Sequence, residues 1–131
     1  MIEYEINPNI TETEFIDVLI NSTLAKRRPT DDLETIKGMI KNADILITAK
    51  KDDKIIGVAR AVTDFNYCCY LSDLAVDTAY QKMGIGKGLI SKVEEQLKDT
   101  CKIILLSAPD ASNYYPKIGF VQHNSAWILT K

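Results

Sequence analysis

One histidine and three cysteines in 131 residues leave little from which to build a metal site or a disulfide framework. The cysteines, Cys68, Cys69 and Cys101, are odd in number and show no C-x-x-C spacing, so reduced thiols are expected. Cys68 and Cys69 are adjacent in an extended segment and must point to opposite faces, which argues against a shared metal or redox pair and for buried structural thiols. His123 has no second histidine to work with, so no metal is expected. An excess of one charge is lacking too. Sixteen basic residues face 18 acidic ones without a long block of either, and no nucleic-acid footprint is expected. No apolar run approaches the roughly twenty residues that span a bilayer, and the N-terminus has no basic-then-apolar leader pattern. The expectation is a cytoplasmic protein without a membrane partner.

What is present is a core. With 46% apolar residues, the chain can bury most of its apolar surface in one α+β domain, residues 1–131. Ile2, Tyr4 and Ile6 alternate with polar residues up to Asn7-Pro8, the pattern of a first strand. A helix capped by Thr11 or Thr13 carries Phe15, Ile16, Leu19 and Ile20 and runs to Arg27-Arg28-Pro29. A second, capped by Asp31 or Asp32, carries Leu33, Ile36, Met39 and Ile40. Residues 44–51 and 55–64 form a hairpin around a solvated "DDK" turn, and residues 67–76 extend it to a three-strand meander. Ile85, Leu89, Ile90, Val93 and Leu97 mark the clearest helix, and residues 101–108 a buried strand parallel to the one before that helix. A short helix before Pro116 and a closing hairpin around Asn124-Ser125 complete the pattern.

Of only six glycines, three fall in five residues, Gly84, Gly86 and Gly88, where the clearest helix opens. A nucleoside-triphosphate P-loop is excluded, because Gly86-Lys87 is followed by Gly88 and the first glycine position holds Gln81. A dinucleotide fingerprint fails on spacing and on the preceding meander. Two readings remain: a loop whose backbone N–H groups cradle a phosphate, aided by Lys82 and Lys87, or glycines that admit tight packing of loop on helix.

Gln81-Lys82-Met83-Gly84-Ile85-Gly86 resembles the Q/R-x-x-G-x-G/A signature of the GNAT superfamily of acyl-CoA-dependent N-acetyltransferases. Ala111-x-x-Tyr114-Tyr115-Pro116-Lys117-Ile118-Gly119-Phe120 is similar to that family's A-x-x-F-Y-x-K-x-G-F segment, and the element order matches over essentially the whole chain. The resemblance implies the GNAT fold, a mixed and mostly antiparallel sheet with splayed parallel strands flanked by helices. It also implies acetyl-CoA as cosubstrate, its pyrophosphate on Gln81, Lys82, Met83, Gly84, Ile85 and Gly86, with Lys87 and Gly88 following. The pantetheine arm would lie along Leu74, Ala75 and Val76. The asparagine that many members place after the fifth strand is absent from Ser107-Ala108-Pro109, leaving Asn113 or Ser112 as substitutes.

The same resemblance gives Tyr115 the role of acid for the leaving thiolate, against the plainer reading of a core aromatic, which suits Tyr114. Asp73 would face the acceptor amine, anchoring its ammonium or taking its proton, unless it is only a capping or solvated carboxylate. Arg27 and Arg28 either complement the end of the first helix or border the acceptor site. With Asp64 and Asp31-Asp32 nearby in sequence, a small cationic amine is the expected acceptor; Arg27-Arg28 would instead suit a carboxylate. Trp127 and Phe65 read as packing residues. The expected activity is N-acetylation of a primary amine on a small molecule by direct transfer, without excluding a homodimer. The alternatives are a protein or peptide N-acetyltransferase and a non-catalytic acyl-CoA-binding module.

Overall fold

The computed structural model describes residues 1–131. Five strands form one sheet in chain order: β1 (Glu3–Ile6), β2 (Ile45–Lys51), β3 (Lys54–Thr63), β4 (Cys68–Val76) and β5 (Lys102–Ile104). Neighbours are antiparallel except β4 and β5, which are parallel. Helices α1 (Glu12–Asn21) and α2 (Leu33–Lys41) cover one face, and α3 (Ile85–Glu95) covers the other. Phe15, Val18, Leu19 and Ile36 pack on Leu46, Ile55, Val58 and Ala75, while Ile85, Leu89, Ile90 and Val93 pack on Ile45, Ile47, Ile56 and Leu71. Burial on both faces is why β2 and β3 read as nearly continuous apolar runs.

Local chemistry sets the ends. Thr11 and Glu14 form a reciprocal capping box on α1, and Asp32 caps α2 through the Thr35 amide. Asp52 and Asp53 both take positive φ, the twist that a two-residue hairpin between β2 and β3 requires. The first helix is shorter than the sequence predicts. It stops at Asn21, Thr23 turns left-handed at φ 73°, and Leu24–Arg27 follow as a 3-10 turn.

The register of β4 slips once, between its pairs with Arg60 and Ala61, so that Ser72 has no partner on β3. Side chains before the slip, Cys69 and Leu71, join the α3 core; Ala75 after it joins the α1/α2 core. Such a bulge re-aims side chains, and here it turns Asp73 toward the face carrying α1.

Three expectations fail at the C-terminal end. The strand expected over residues 101–108 pairs only at Lys102–Ile104, and two 3-10 turns, Pro109–Ala111 and Tyr115–Ile118, replace the short helix. The closing hairpin does not form. Residues 120–131 contain no strand, and Val121, Trp127 and Leu129 are each more than nine-tenths exposed, so Trp127 is not a packing residue. Cys68 is likewise exposed, whereas Cys69 is buried as expected and its thiol is pushed up to about 11 by burial.

Gly88 generates a stability test. A Cβ there would lie 2.2 Å from the Tyr4 hydroxyl and 2.6 Å from its ring carbon Cζ. In a helix interior Gly→Ala ordinarily gains roughly 0.5–1 kcal/mol; Gly88→Ala should instead lose about 1–3 kcal/mol through overpacking. Urea denaturation followed by circular dichroism checks the sign, and combining it with Tyr4→Ala should be less than additive.

Candidate functional site

The three clustered glycines answer to different constraints. Gly88 makes room for Tyr4, and Gly86 for Tyr114, whose hydroxyl would lie 2.5 Å from a Cβ at that position. Gly84 touches nothing within 4 Å; it is glycine because the N-cap of α3 has φ 80°. The loop thus combines the packing reading with an open stretch. None of the backbone N–H groups of residues 81–87 has an acceptor in the chain, and the first internal bond of the helix is Gly88 N–H to Gly84 O. Gln81 is held by its own side chain, whose Nε2 donates to Val76 O at 3.0 Å. The arrangement presents unpaired donors and the positive end of the α3 dipole, with Lys82 and Lys87 exposed beside them. Such donors suit a pyrophosphate.

The second feature is a divergence of strands. β4 and β5 pair only from Cys68 to Tyr70, after which the two chains separate. From Leu71 to Val76 one edge of β4 is therefore open, while the other stays paired with β3. Leu74 and Val76 are partly exposed on this stretch; Ala75 is buried and offers only backbone. A cavity of about 330 Å³ occupies the divergence. Leu71, Ser72 and Leu74 wall it on one side, and Leu105, Leu106 and Ala108 on the other. Leu24, Arg27 and Arg28, from the 3-10 turn after α1 and the residue beyond, meet Tyr115 across it.

Tyr115 is half-buried, its ring edge-on to Tyr114 at 5.3 Å and to Phe120 at 5.4 Å. Burial, and then the neighbouring Tyr114, raise its phenol above the ordinary tyrosine value, outweighing the lowering by Arg28. It therefore carries its proton at neutral pH. Asn113 and Ser112 are both exposed, and neither side chain makes a hydrogen bond that would favour one as the substitute asparagine.

Asp73 departs most from its expected place. It is fully buried, one carboxylate oxygen held by Arg28 Nε and the other by Arg60 Nε. Arg60 Nη2 donates to Ser72 Oγ at 2.8 Å and Arg28 Nη2 to Ser72 O at 2.7 Å. Neither oxygen is available to anchor an ammonium group or to take its proton. Of the other carboxylates expected near the acceptor, none lines the cavity: Asp31 is exposed, and Asp64 and Asp32 are engaged elsewhere. Asp64 accepts from the Tyr67, Cys68 and Asn66 amides, which hold it below its ordinary value, and Asp32 caps α2. Arg60 is absent from the candidates that the sequence motifs offer. Its signal was a lone arginine inside the apolar run "IIGVARAVTD", where a buried charge demands a buried partner.

Residues 13–120 match the family model described as Acetyltransferase (GNAT) family. The chain belongs to the GNAT acetyltransferases. One relative, "Uncharacterized N-acetyltransferase ycf52" of Pyropia yezoensis, is 32% identical over 122 residues, which are 88% of this chain and 68% of that protein. Among solved structures, a probable acetyltransferase of Staphylococcus aureus superposes with a TM-score of 0.82 at 20% identity, covering 100% of this chain and 99% of the other. The aminoglycoside N-acetyltransferase AAC(6')-Iy, solved in complex with CoA, gives 0.76 at 16% identity over 100% and 95% of the two chains. These likenesses show the fold, and the GNAT fold expected from the sequence is borne out. This GNAT chain is accordingly an acetyltransferase, and no helix in it is long and apolar enough to cross a membrane.

The clamp on Asp73 predicts the outcome of removing it. Asp73→Asn leaves two arginines without their shared counter-charge, and breaking a buried pair typically costs about 3–5 kcal/mol. The expected result in thermal denaturation is a broad loss of stability, rather than a selective rise in KM for the acceptor in a protein of unchanged Tm.

Proposed function

We propose that this acetyltransferase transfers the acetyl group of acetyl-CoA to a primary amine of a small molecule, by direct attack in a ternary complex within residues 1–131. The observation that carries the reading is a continuous path: seven unpaired amides at residues 81–87, then the open edge of β4, then a cavity containing Tyr115. Residues 81–87 with Lys82 and Lys87 would hold the pyrophosphate, and the backbone of Leu74 and Val76 the pantetheine arm. The CoA complex of the aminoglycoside enzyme supports this use of the shared fold. The cavity volume of about 330 Å³ lies at the small end for ligand sites, which run from about 300 Å³ upward. Three free cysteines support a reducing, cytoplasmic setting.

Bound acetyl-CoA supplies an acetyl group already activated as a thioester. Tyr115 gives its Oη proton to the sulfur as the carbon–sulfur bond breaks and the nitrogen–carbon bond forms. It regains a proton from solvent, which also takes the one shed by the acceptor nitrogen. No carboxylate or imidazole lines the cavity to act as base. The one surplus positive charge of Arg28 and Arg60 over Asp73 serves instead by disfavouring the ammonium form of a bound amine, since a like charge nearby lowers an amine's pKa.

Calorimetry with CoA and thiol release from acetyl-CoA across an amine panel test the reading. Gly84→Val strains a left-handed position by about 1–2 kcal/mol and places a branched side chain among the open amides. In a folded protein it should weaken CoA binding at least about tenfold, or 1.4 kcal/mol; unchanged affinity removes the pyrophosphate assignment. Tyr115→Phe should keep CoA affinity and lower kcat about a hundredfold. The rate should climb with pH as the amine deprotonates. Because the Tyr115 phenol is raised, that limb should reach a plateau extending past pH of about 10 before the acid is lost.

A further inference from the structure

We infer that the acceptor carries a carboxylate close to its amine, bound by Arg27 at the mouth of the cavity, so that its class is the α-amino acids and their small derivatives rather than polyamines or aminoglycosides. The inference rests on the transferase reading and names the substrate class of the same site.

The charge inventory of the cavity carries it. Arg27 and Arg28 line the wall, no aspartate or glutamate does, and Asp73, the carboxylate beneath, is enclosed at 0% exposure. Arg28 is tied down through Nε to Asp73, Nη2 to Ser72 O and Nη1 to Arg27 O at 2.8 Å, so its guanidinium is largely spent on structure. Arg27 is different. It is exposed, reaches the cavity, and its side chain makes no hydrogen bond or ion pair with the protein. Its backbone carbonyl is fixed by Arg28 Nη1, which anchors the residue while leaving its guanidinium fork free. A planar fork with paired donors is the group suited to bidentate carboxylate recognition.

Balance points the same way. Arg28, Arg60 and Asp73 sum to one surplus positive charge, and Arg27 adds a second, with nothing acidic facing the cavity. A polycation would enter against this field, whereas a carboxylate enters with it. Leu24, on the same 3-10 turn as Arg27, lines the cavity too and places apolar surface next to the charged head, favouring an apolar side chain there. An amine, a carboxylate and an apolar substituent within a small volume describe an amino acid with a hydrophobic side chain.

Matched acceptors isolate the carboxylate. Leucine against 3-methylbutylamine and phenylalanine against 2-phenylethylamine differ by that group alone. Each amino acid should exceed its partner at least tenfold in kcat/KM, chiefly through KM. Arg27→Met should bring the gap within threefold without altering CoA affinity, and Arg27→Glu should favour 1,5-diaminopentane. Binding of products to the CoA complex by calorimetry supplies an arm that needs no turnover: N-acetylleucine should bind at least tenfold tighter than N-(3-methylbutyl)acetamide, a difference lost in Arg27→Met. Carboxyl-free amines or aminoglycosides performing equally well or better, or a gap that survives Arg27→Met, overturns the carboxylate assignment while leaving the transferase intact. Product discrimination without turnover of any amine sinks the transferase reading and retains the carboxylate site. No turnover together with no product discrimination removes both.

Discussion

Asp73 divided between Arg28 and Arg60 is the interaction on which the site depends. It ties three segments together: β3 through Arg60, the bulged stretch of β4, and the chain leaving α1 through Arg28. A carboxylate wholly removed from water is costly unless both oxygens are satisfied, and here each has a guanidinium. The bulge at Ser72 makes that possible by turning Asp73 to the α1 face, where Arg60, its cross-strand neighbour, also points. The ion triad thereby fixes one wall of the cavity and sets its sign. An acid that the primary structure offers as a receptor for cations works instead as the internal counter-charge of arginines.

The cofactor side of the molecule rests on a different constraint, the geometry of strands that start together and part. Three residue pairs join β4 to β5 before they diverge, and the rest of that β4 edge keeps its hydrogen-bonding groups for something else. Tyr114 joins this region to the glycine loop by seating its hydroxyl over Gly86. The two motifs, distant in the chain, are in contact, and Tyr115 projects toward the cavity from the same turn.

What could be read from the residues was whatever is local or periodic. Caps at Thr11 or Thr13 and at Asp31 or Asp32, the meander and the amphipathic α3 follow from short-range patterns; all are found, with Thr11 and Asp32 as the caps. The glycine loop was legible as a place of open backbone, although Gly86 and Gly88 owe their identity to tyrosines from other parts of the chain. Long-range pairing was not legible. Nothing beside Asp73 in sequence announces Arg28 and Arg60, and a one-residue slip of register decides which face it takes. The end of α1 is not legible in the residues because Thr23 adopts a left-handed conformation that β-branched residues ordinarily avoid. The closing hairpin is absent because alternation of apolar and polar residues signals a strand only where a partner strand accepts it.

The position of Trp127 changes how this protein can be watched. It is the one tryptophan in the chain, and at 93% exposure on a segment without helix or strand its indole already sits in water. Its emission is that of the solvated chromophore from the start, so melting of the sheet and helices passes almost unseen at that wavelength. The six tyrosines, among them the partly buried Tyr4, Tyr114 and Tyr115, are the spectroscopic reporters of the folded body. A tryptophan emission maximum that stays constant on heating would therefore describe the segment around Trp127 in a protein whose core had already melted.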